Sequence, residues 1–273
     1  MCWTDKHLDW LLDTGIRLNT ADGVHVPVFE FRYEQDEEIM SAWAAHFRNH
    51  YCSDREIDDL RRGFGLSRSD YLLTIKFPDG SASPGPSVRA GDFGEILIAD
   101  YVQFRLDYEV PRTRYCWKAN RNESTKGVDV LGFRMRGAKP GPKDELITFE
   151  VKCALSPANT SKKTLINAIA DSTKDYGLRK AESLNATYQR LRVMKRNDEK
   201  ELVRRFQKSV SYPYIEKSGG AAIHSTSNFS NEVVQTATAA GHPNLANLIL
   251  LVVLGEDLMT LAHELYRRAA NDA

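Results

Sequence analysis

The chain alternates between segments with strand-like and helix-like spacing of hydrophobic positions. Residues 24–33 and 71–77 are rich in β-branched and aromatic side chains, which predicts two strands. Between them, apolar side chains recur at four-residue spacing over residues 37–62, which predicts helices. The run 78–87 is dense in Pro, Gly and Ser and predicts a linker. We therefore predict an N-terminal α/β lobe at residues 1–77.

A helix and two strands are predicted directly after this linker. Residues 91–108 place apolar side chains on one broad helical face, and residues 128–135 and 145–155 are β-rich runs. The pattern further predicts helices over 160–176 and 178–209, a turn at 218–222, a strand over 248–254 and a helix over 256–268. The expected fold is α/β (α+β), with a second domain at residues 88–273 built on a mixed sheet flanked by helices.

Membrane insertion and secretion find no support in the sequence. The longest apolar run, residues 248–254, is far shorter than the roughly 20 residues of a membrane helix. No basic leader opens the chain, and the 4 cysteines form no CxxC pair. We expect reduced thiols and a cytoplasmic location.

Charge is distributed unevenly, although the formal net charge is +0. Residues 1–60 contain 13 Asp/Glu and 5 Lys/Arg, whereas residues 174–208 contain 5 Asp/Glu and 11 Lys/Arg. Such asymmetry is typical of a chain that binds an anion with one face and a partner with another, but two solvated helical faces would have the same composition.

Four residues on the predicted helix and strands carry candidate chemistry. Glu95 lies in the first turn of the helix, where it could also serve only the helix dipole. Asp129 lies in the first strand, while Glu150 and Lys152 lie two residues apart in the second. Side chains at i and i+2 share one face of a strand, so Glu150 and Lys152 lie side by side. Asp129 reaches the same site if the two strands pair.

This grouping suits a divalent cation and a phosphodiester. Mg²⁺ or Mn²⁺ would take carboxylate oxygens from Asp129 and Glu150, and the backbone carbonyl of Val151 is a plausible further ligand. Lys152 would orient or help to deprotonate an attacking water, or would offset charge on the phosphate. The predicted activity is metal-dependent hydrolysis of DNA. The alternative is a binding module for nucleic acid or a protein partner on a nuclease-like fold without catalysis.

The order of these motifs resembles the PD-(D/E)xK nuclease superfamily. The resemblance rests on GxxGE at residues 91–95, GxD at residues 127–129 and ExK at residues 150–152. It implies a restriction-endonuclease-like core with element order α-β-β-β-α-β, in which Glu95, Asp129, Glu150 and Lys152 are catalytic. The proline that commonly precedes the aspartate is absent here, because Gly127 and Val128 stand before Asp129.

Basic residues near these motifs are candidates for contact with nucleic acid. They lie in the aromatic-containing stretch 111–126 and in the helices that follow the ExK strand. The predicted contacts are Arg112, Arg114, Lys118, Arg121, Lys126, Lys162, Lys163 and Lys174.

Two other kinds of site are weakly indicated or absent from the sequence. His46 and His50 lie four residues apart with Cys52 nearby, which suits a zinc site, but packed histidines are the stronger expectation. The sequence has no glycine-rich lysine loop for nucleotide hydrolysis.

Across most of its length the sequence also resembles the nuclease subunit of the Hachiman anti-phage defence system. The resemblance rests on the acidic N-terminal region, the GDFGE helix, the D…ExK core and the basic C-terminal helices. It implies a superfamily-2 helicase as partner and DNA degradation that is restrained until a trigger arrives. The missing ATP motif agrees with that division of labour.

Overall fold

The fold is organised around one six-stranded mixed sheet. A computed structural model describes residues 3–156 and 163–273. The strand order is β1-β2-β6-β5-β4-β3. The strands are β1 (Leu11–Asn19), β2 (His25–Phe31), β3 (Val130–Arg134), β4 (Glu145–Ala154), β5 (Ile215–Ser225) and β6 (Leu248–Gly255).

Helices cover both faces of this sheet. The α-helices are α1 (Glu37–Tyr51), α2 (Ile57–Arg62), α3 (Arg68–Tyr71), α4 (Gly85–Asp100), α5 (Thr164–Lys174), α6 (Lys180–Val193), α7 (Asn197–Gln207), α8 (Glu232–Gln235) and α9 (Leu258–Asn271). The predicted α/β class, with a mixed sheet flanked by helices, is confirmed. Among the described helices, none combines the length and apolar character needed to cross a membrane.

The N-terminal segment contributes two strands to the common sheet. β1 pairs antiparallel with β2, and β2 pairs parallel with β6 near the C-terminus. Trp10 and Trp43 lie in the same buried cluster as Phe149 and Tyr266. Residues 1–77 therefore share their sheet and core with the later part of the chain.

Successive side chains of the central strands alternate between two apolar layers. Phe149 and Val151 of β4 face the cluster under α1, α4 and α9. On the opposite face, Leu165 of α5 packs in a second cluster with β2, β5 and β6, and Leu184 of α6 packs in a third with β3 and β4. Val151 thus points into the core, as predicted, and Glu150 points away from it.

Gly94 allows α4 to lie directly on β4. A Cβ atom at this position would lie 2.2 Å from the Cys153 Sγ and 3.0 Å from the Ile223 Cδ1. Any larger residue would push the helix away from the strand. The glycine before Glu95 therefore sets the distance between that carboxylate and the sheet.

Two predicted elements adopt a different type of secondary structure. Residues 71–77, predicted as a strand, continue α3 as a helical turn, because Ser67 caps the helix by accepting a hydrogen bond from the Asp70 N–H at 3.0 Å. Residues 218–222, predicted as a turn, form the middle of β5. Small residues are needed there because a Cβ at Gly219 would lie 2.4 Å from the Phe149 ring.

From α4 onward, the order of elements follows the one that the superfamily resemblance implies, except that one implied strand is present only as an isolated bridge. α4 is followed by the β3–β4 hairpin, then α5, α6 and α7, then β5 and β6. Where a further strand is implied before β3, Glu109 and Phe133 form an isolated antiparallel bridge. The helix also begins earlier than predicted, at Gly85 rather than Gly91.

Candidate active site

Asp129 and Glu150 lie opposite each other where β3 and β4 begin to separate. The last pair of the hairpin is Val130 with Phe149, so the next residues outward are Asp129 and Glu150. The Val151 N–H donates a hydrogen bond to Asp129 Oδ2 at 2.9 Å, which fixes the carboxylate against β4. Both side chains are buried, with relative exposures of 9% for Asp129 and 2% for Glu150. The predicted pairing of the two strands is therefore present.

Lys152 is held on the same face as Glu150. Its Nζ lies 2.6 Å from Glu150 Oε1 and 2.8 Å from Asp171 Oδ2 on α5. Burial lowers the pKa of this ammonium, but the hydrogen bonds to Asp171 and Glu150 outweigh it and raise the pKa above its usual range. Lys152 is consequently charged at neutral pH.

Glu95 reaches the pair from α4 through a shared arginine. Arg114 Nη2 donates to Glu95 Oε2 at 3.0 Å and to Asp129 Oδ1 at 3.2 Å. The Tyr115 hydroxyl also donates to Glu95 Oε2, at 2.7 Å. The guanidinium reduces the repulsion between the two carboxylates and fixes their separation. Arg114, predicted as a nucleic-acid contact, is instead an internal part of the site.

Close packing of carboxylates raises two pKa values in this site. Burial and the neighbouring Asp129 raise the pKa of Glu95 to about 8. The same two causes, in the same order, raise the pKa of Glu150 to about 7, although Lys152 opposes them. One Glu150 oxygen, Oε2, is buried and accepts no hydrogen bond from any residue that the structure describes. Such an arrangement favours an added cation.

Three residues near the site had not been identified from the sequence. Asp171 pairs with Lys152, and Asp175 is a fully buried carboxylate at the end of the α5 helical segment. Burial and Glu150 raise the pKa of Asp175 to about 8. Arg179 Nη2 lies 3.5 Å from Glu150 Oε2, and Arg179 Nη1 lies 3.2 Å from Asp175 Oδ1. No motif marks these three; they follow the ExK strand within the next helical stretch.

Two cavities are lined by carboxylates of this site. The larger, an open groove, has a volume of about 650 Å³ and is lined by Asp129, Glu150 and Lys152. A smaller cavity, of about 50 Å³, is also lined by Glu95 and Asp129, together with Lys126 and Arg190. It has room for a few waters.

Arg190 is an unpaired cation at this cavity. No acidic side chain of residues 3–156 or 163–273 lies within ion-pair distance of its guanidinium, and burial and Arg114 lower its pKa. Lys126 beside it is exposed. The two residues therefore offer positive charge to an anion next to the carboxylates.

Two of the predicted nucleic-acid contacts are buried in structural ion pairs. Arg112 Nη1 lies 2.7 Å from Asp100 Oδ1, and both side chains are almost fully buried. The Lys118 ammonium forms a close ion pair with Asp92, also buried. Their assignment as surface contacts is corrected, because a cation enclosed with its own carboxylate has no free face for a phosphate.

The other predicted contacts vary in accessibility. Arg121 donates to the Leu73 carbonyl at 2.7 Å and pairs with Asp79 Oδ2 at 2.8 Å, which makes it chiefly a structural residue. Lys126, Lys163 and Lys174 are exposed, as a phosphate contact requires. Lys162 lies outside the described residues.

The N-terminal histidines form a buried polar cluster around Asp100. His46 Nε2 lies 3.0 Å from Asp100 Oδ1, and His7 Nε2 lies 2.9 Å from Asp100 Oδ2. His46, His50 and Asp100 could together hold a metal ion, as their ligand atoms lie within 4.8 Å of one another. However, the Arg112 guanidinium already supplies the positive charge there, 3.4 Å from His50 Nε2. The expectation of packed histidines fits this geometry better than a zinc site.

This cluster predicts a loss of stability in mild acid. Burial lowers the pKa of His7, and lowers that of His50 further, in an environment that also contains His46, Asp100 and Arg112. Both imidazoles are neutral when folded, whereas in the unfolded chain they gain protons below about pH 6.5. Their contribution to stability is complete above that pH and is lost as the pH falls.

Urea unfolding at several pH values between 7.5 and 5 measures this loss. The wild type is expected to lose stability more steeply than a His50→Gln variant, which keeps a hydrogen-bonding side chain but does not titrate. A His25→Gln variant, changed at an exposed histidine, serves as the control and should match the wild type. Equal slopes for wild type and His50→Gln would contradict the assignment.

Comparison with known protein families gives one match over most of the chain. The family model described as HamA matches residues 5–269, almost the full length of the chain. No curated protein matches the chain. The matched range includes Glu95, Asp129, Glu150 and Lys152. The chain therefore belongs to the HamA family of Hachiman anti-phage defence proteins.

Proposed function

We propose that this protein is a metal-dependent DNA endonuclease and the effector of its Hachiman system. The observation that carries the proposal is the convergence of Asp129, Glu150 and Lys152 at the mouth of one groove. A buried carboxylate pair with a charged lysine beside it is the grouping that hydrolysis of a phosphodiester requires. Family membership supports the role in defence, while the activity rests on the site.

The donor set at this site fits Mg²⁺ or Mn²⁺. Asp129 and Glu150 offer hard oxygen ligands, and Glu150 Oε2 has no hydrogen-bond donor in the described part of the chain. The Val151 carbonyl, next in β4, stays a predicted ligand. A bound divalent ion would lower the pKa of a water and would stabilise negative charge on the phosphate.

The protein's own residues position the substrate and balance its charge. Lys152, charged and fixed by Glu150 and Asp171, faces the groove and would contact a non-bridging phosphate oxygen. Arg114 keeps Glu95 and Asp129 at a fixed separation. Glu95, whose pKa is about 8, could hold or release a proton near neutral pH at the edge of the groove.

Phosphate groups next to the cleaved one would be bound by Lys126 and Arg190. Replacing Arg190 with alanine is expected to weaken DNA binding about tenfold and to reduce its salt dependence by one phosphate contact. Fluorescence anisotropy with a labelled duplex in EDTA, at several salt concentrations, measures both. Arg192→Ala, an exposed change on the same helix, is the matched control. Equal losses for the two variants would contradict a specific role for Arg190.

A superfamily-2 helicase is the proposed partner. The proposal rests on membership of a Hachiman family and on the lack of a nucleotide-binding lysine loop in this sequence. Co-expression followed by size-exclusion chromatography tests it. Separate elution of the two proteins, with and without DNA, would argue against a stable complex.

Cleavage of supercoiled plasmid tests the activity itself. Nicked and linear products are expected with Mg²⁺ or Mn²⁺ and not with EDTA, for the protein alone or with its helicase. Intact plasmid under all conditions would favour the alternative, a binding module on a nuclease-like fold.

A further inference from the structure

Asp175 is a buried carboxylate that the fold brings to the active site by breaking a helix. The helical path from α5 to α6 is interrupted at Tyr176 and Gly177, which leave helical geometry, with φ at Gly177 of 128°. Asp175 lies immediately before this break and has a relative exposure of 0%. Interrupting a helix at a buried acidic residue lowers stability, so such an arrangement points to a functional role.

The Asp175 carboxylate has no hydrogen-bond donor. Neither Oδ1 nor Oδ2 accepts a hydrogen bond from any side chain or backbone group in the described ranges. Its nearest cation is Arg179, whose Nη1 lies 3.2 Å from Oδ1. Buried polar atoms are almost always hydrogen-bonded, and an exception commonly marks the place of a water or an ion.

Glu150 also has a carboxylate oxygen without a hydrogen-bond donor in the described chain, and this oxygen lies near the same arginine. Its Oε2 is also buried without a donor among the described residues, and it lies 3.5 Å from Arg179 Nη2. One guanidinium therefore faces two carboxylates. Arg179 donates a hydrogen bond to the Gly127 carbonyl at 2.9 Å, and its side chain is partly exposed. A cation that displaced it would therefore move a guanidinium that already has access to solvent.

We propose that Asp175 is a metal ligand of this site, and that Asp175 and Glu150 Oε2 together bind a divalent cation at the position of the Arg179 guanidinium. Two carboxylates with free oxygens are the ligands that Mg²⁺ and Mn²⁺ take in proteins. Lys152 already pairs with Glu150 Oε1, so Glu150 Oε2 and the Asp175 carboxylate are the oxygens that a divalent ion would bind in place of Arg179. This inference rests on the proposed function, because the cation would serve the same phosphodiester chemistry.

Calorimetric titration of the full-length protein with MnCl₂ alone, without DNA, tests the proposal. Asp175→Asn is expected to lower the Mn²⁺ affinity at least tenfold or to remove one binding site, since it keeps the shape but loses the charge. Glu182→Gln, which changes an exposed carboxylate in the first turn of α6, is the matched control and should bind as the wild type.

Arg179→Gln separates a ligand role from a structural one. If Arg179 competes with the cation, this variant is expected to bind Mn²⁺ severalfold more tightly than the wild type. If Asp175 only pairs with Arg179 to hold the helices, the variant will bind no better. Unchanged affinity in both Asp175→Asn and Arg179→Gln would overturn the proposal. If Asp175→Asn fails to fold, Mn²⁺ binding by Arg179→Gln that is no tighter than that of the wild type would overturn it.

The outcome is distinguishable from a failure of the proposed function. A protein that binds Mn²⁺ through Asp175 but never cuts DNA would retain this inference and lose the nuclease assignment. A protein that cuts DNA through Glu150 and binds Mn²⁺ equally well without Asp175 would do the reverse.

Discussion

Replacing Lys152 with methionine is expected to lower the rate of DNA cleavage by about 10²–10³-fold, the usual effect of losing one preorganised charge at a reacting centre. Methionine keeps most of the length of the side chain and removes its charge. The ammonium is held in place by Glu150 and Asp171 and lines the groove. Time courses of plasmid nicking at saturating Mg²⁺ measure the effect.

The control for this variant is Lys143→Met, which removes an exposed lysine from the loop of the same β3–β4 hairpin. It should cut as fast as the wild type. Lys152 is about one-third exposed, so thermal unfolding should report a folded protein in both variants. Cleavage by Lys152→Met within a few-fold of the wild-type rate would show that this lysine is not part of the chemistry.

Replacing Arg112 with methionine is expected to lower the free energy of unfolding by about 3–5 kcal/mol, the typical cost of breaking a buried ion pair from one side. The change leaves the Asp100 carboxylate enclosed with its main cation removed. His7 and His46 would each still contact it, but neither supplies the permanent charge of a guanidinium. Urea unfolding at pH 7.5 measures the loss.

Arg62→Met provides the comparison, because Arg62 forms an ion pair with Asp59 in which both side chains are about four-fifths exposed. That pair should contribute less than about 1 kcal/mol. Equal stability losses in the two variants would mean that Arg112 is not the buried structural cation described above. A loss confined to Arg112→Met would confirm that it belongs to the core.

The strand chemistry was the most predictable part of the site. Glu150 and Lys152 share a face because strand side chains alternate, and Asp129 meets them because consecutive β-runs joined by a short loop commonly pair. Val151 points into the core for the same reason. These are local rules with a fixed period, so the sequence carries them directly.

Local strand rules could not predict whether the basic side chains are exposed or buried in ion pairs. Arg112 and Lys118 lie in a stretch with the composition of a phosphate-binding loop, yet each is buried against an aspartate of α4. Whether a cation faces solvent or an acidic partner depends on tertiary contacts, which residue spacing does not encode. The same limitation applies to Asp175, which reaches the site only because the helix breaks after it.

The secondary-structure prediction was wrong where local composition and tertiary packing favour different structures. Gly219 and its small neighbours read as a turn, but they form the centre of β5 because large side chains from adjacent elements leave no room for more. Residues 71–77 read as a strand by their β-branched and aromatic content, but Ser67 caps a helix that includes them. In both cases tertiary packing or capping overrides propensity.

The structure shows that part of the positive charge in the basic segment, residues 174–208, is already paired with acidic side chains. Several of its cations are already paired: Arg196 with Glu199, and Arg205 with the buried Asp144. Arg190 lines the same small cavity as Glu95 and Asp129. The count of positive charges over residues 174–208 therefore overstates the charge available to nucleic acid.

The most direct measurement of the central claim is plasmid cleavage by wild type and Glu150→Gln under identical Mg²⁺ and Mn²⁺ conditions. Glutamine keeps the shape of the side chain but not its charge, and Glu123→Gln, an exposed change, controls for loss of one carboxylate. The account predicts metal-dependent cutting by the wild type and Glu123→Gln, and none by Glu150→Gln. Cutting by Glu150→Gln at the wild-type rate would contradict it.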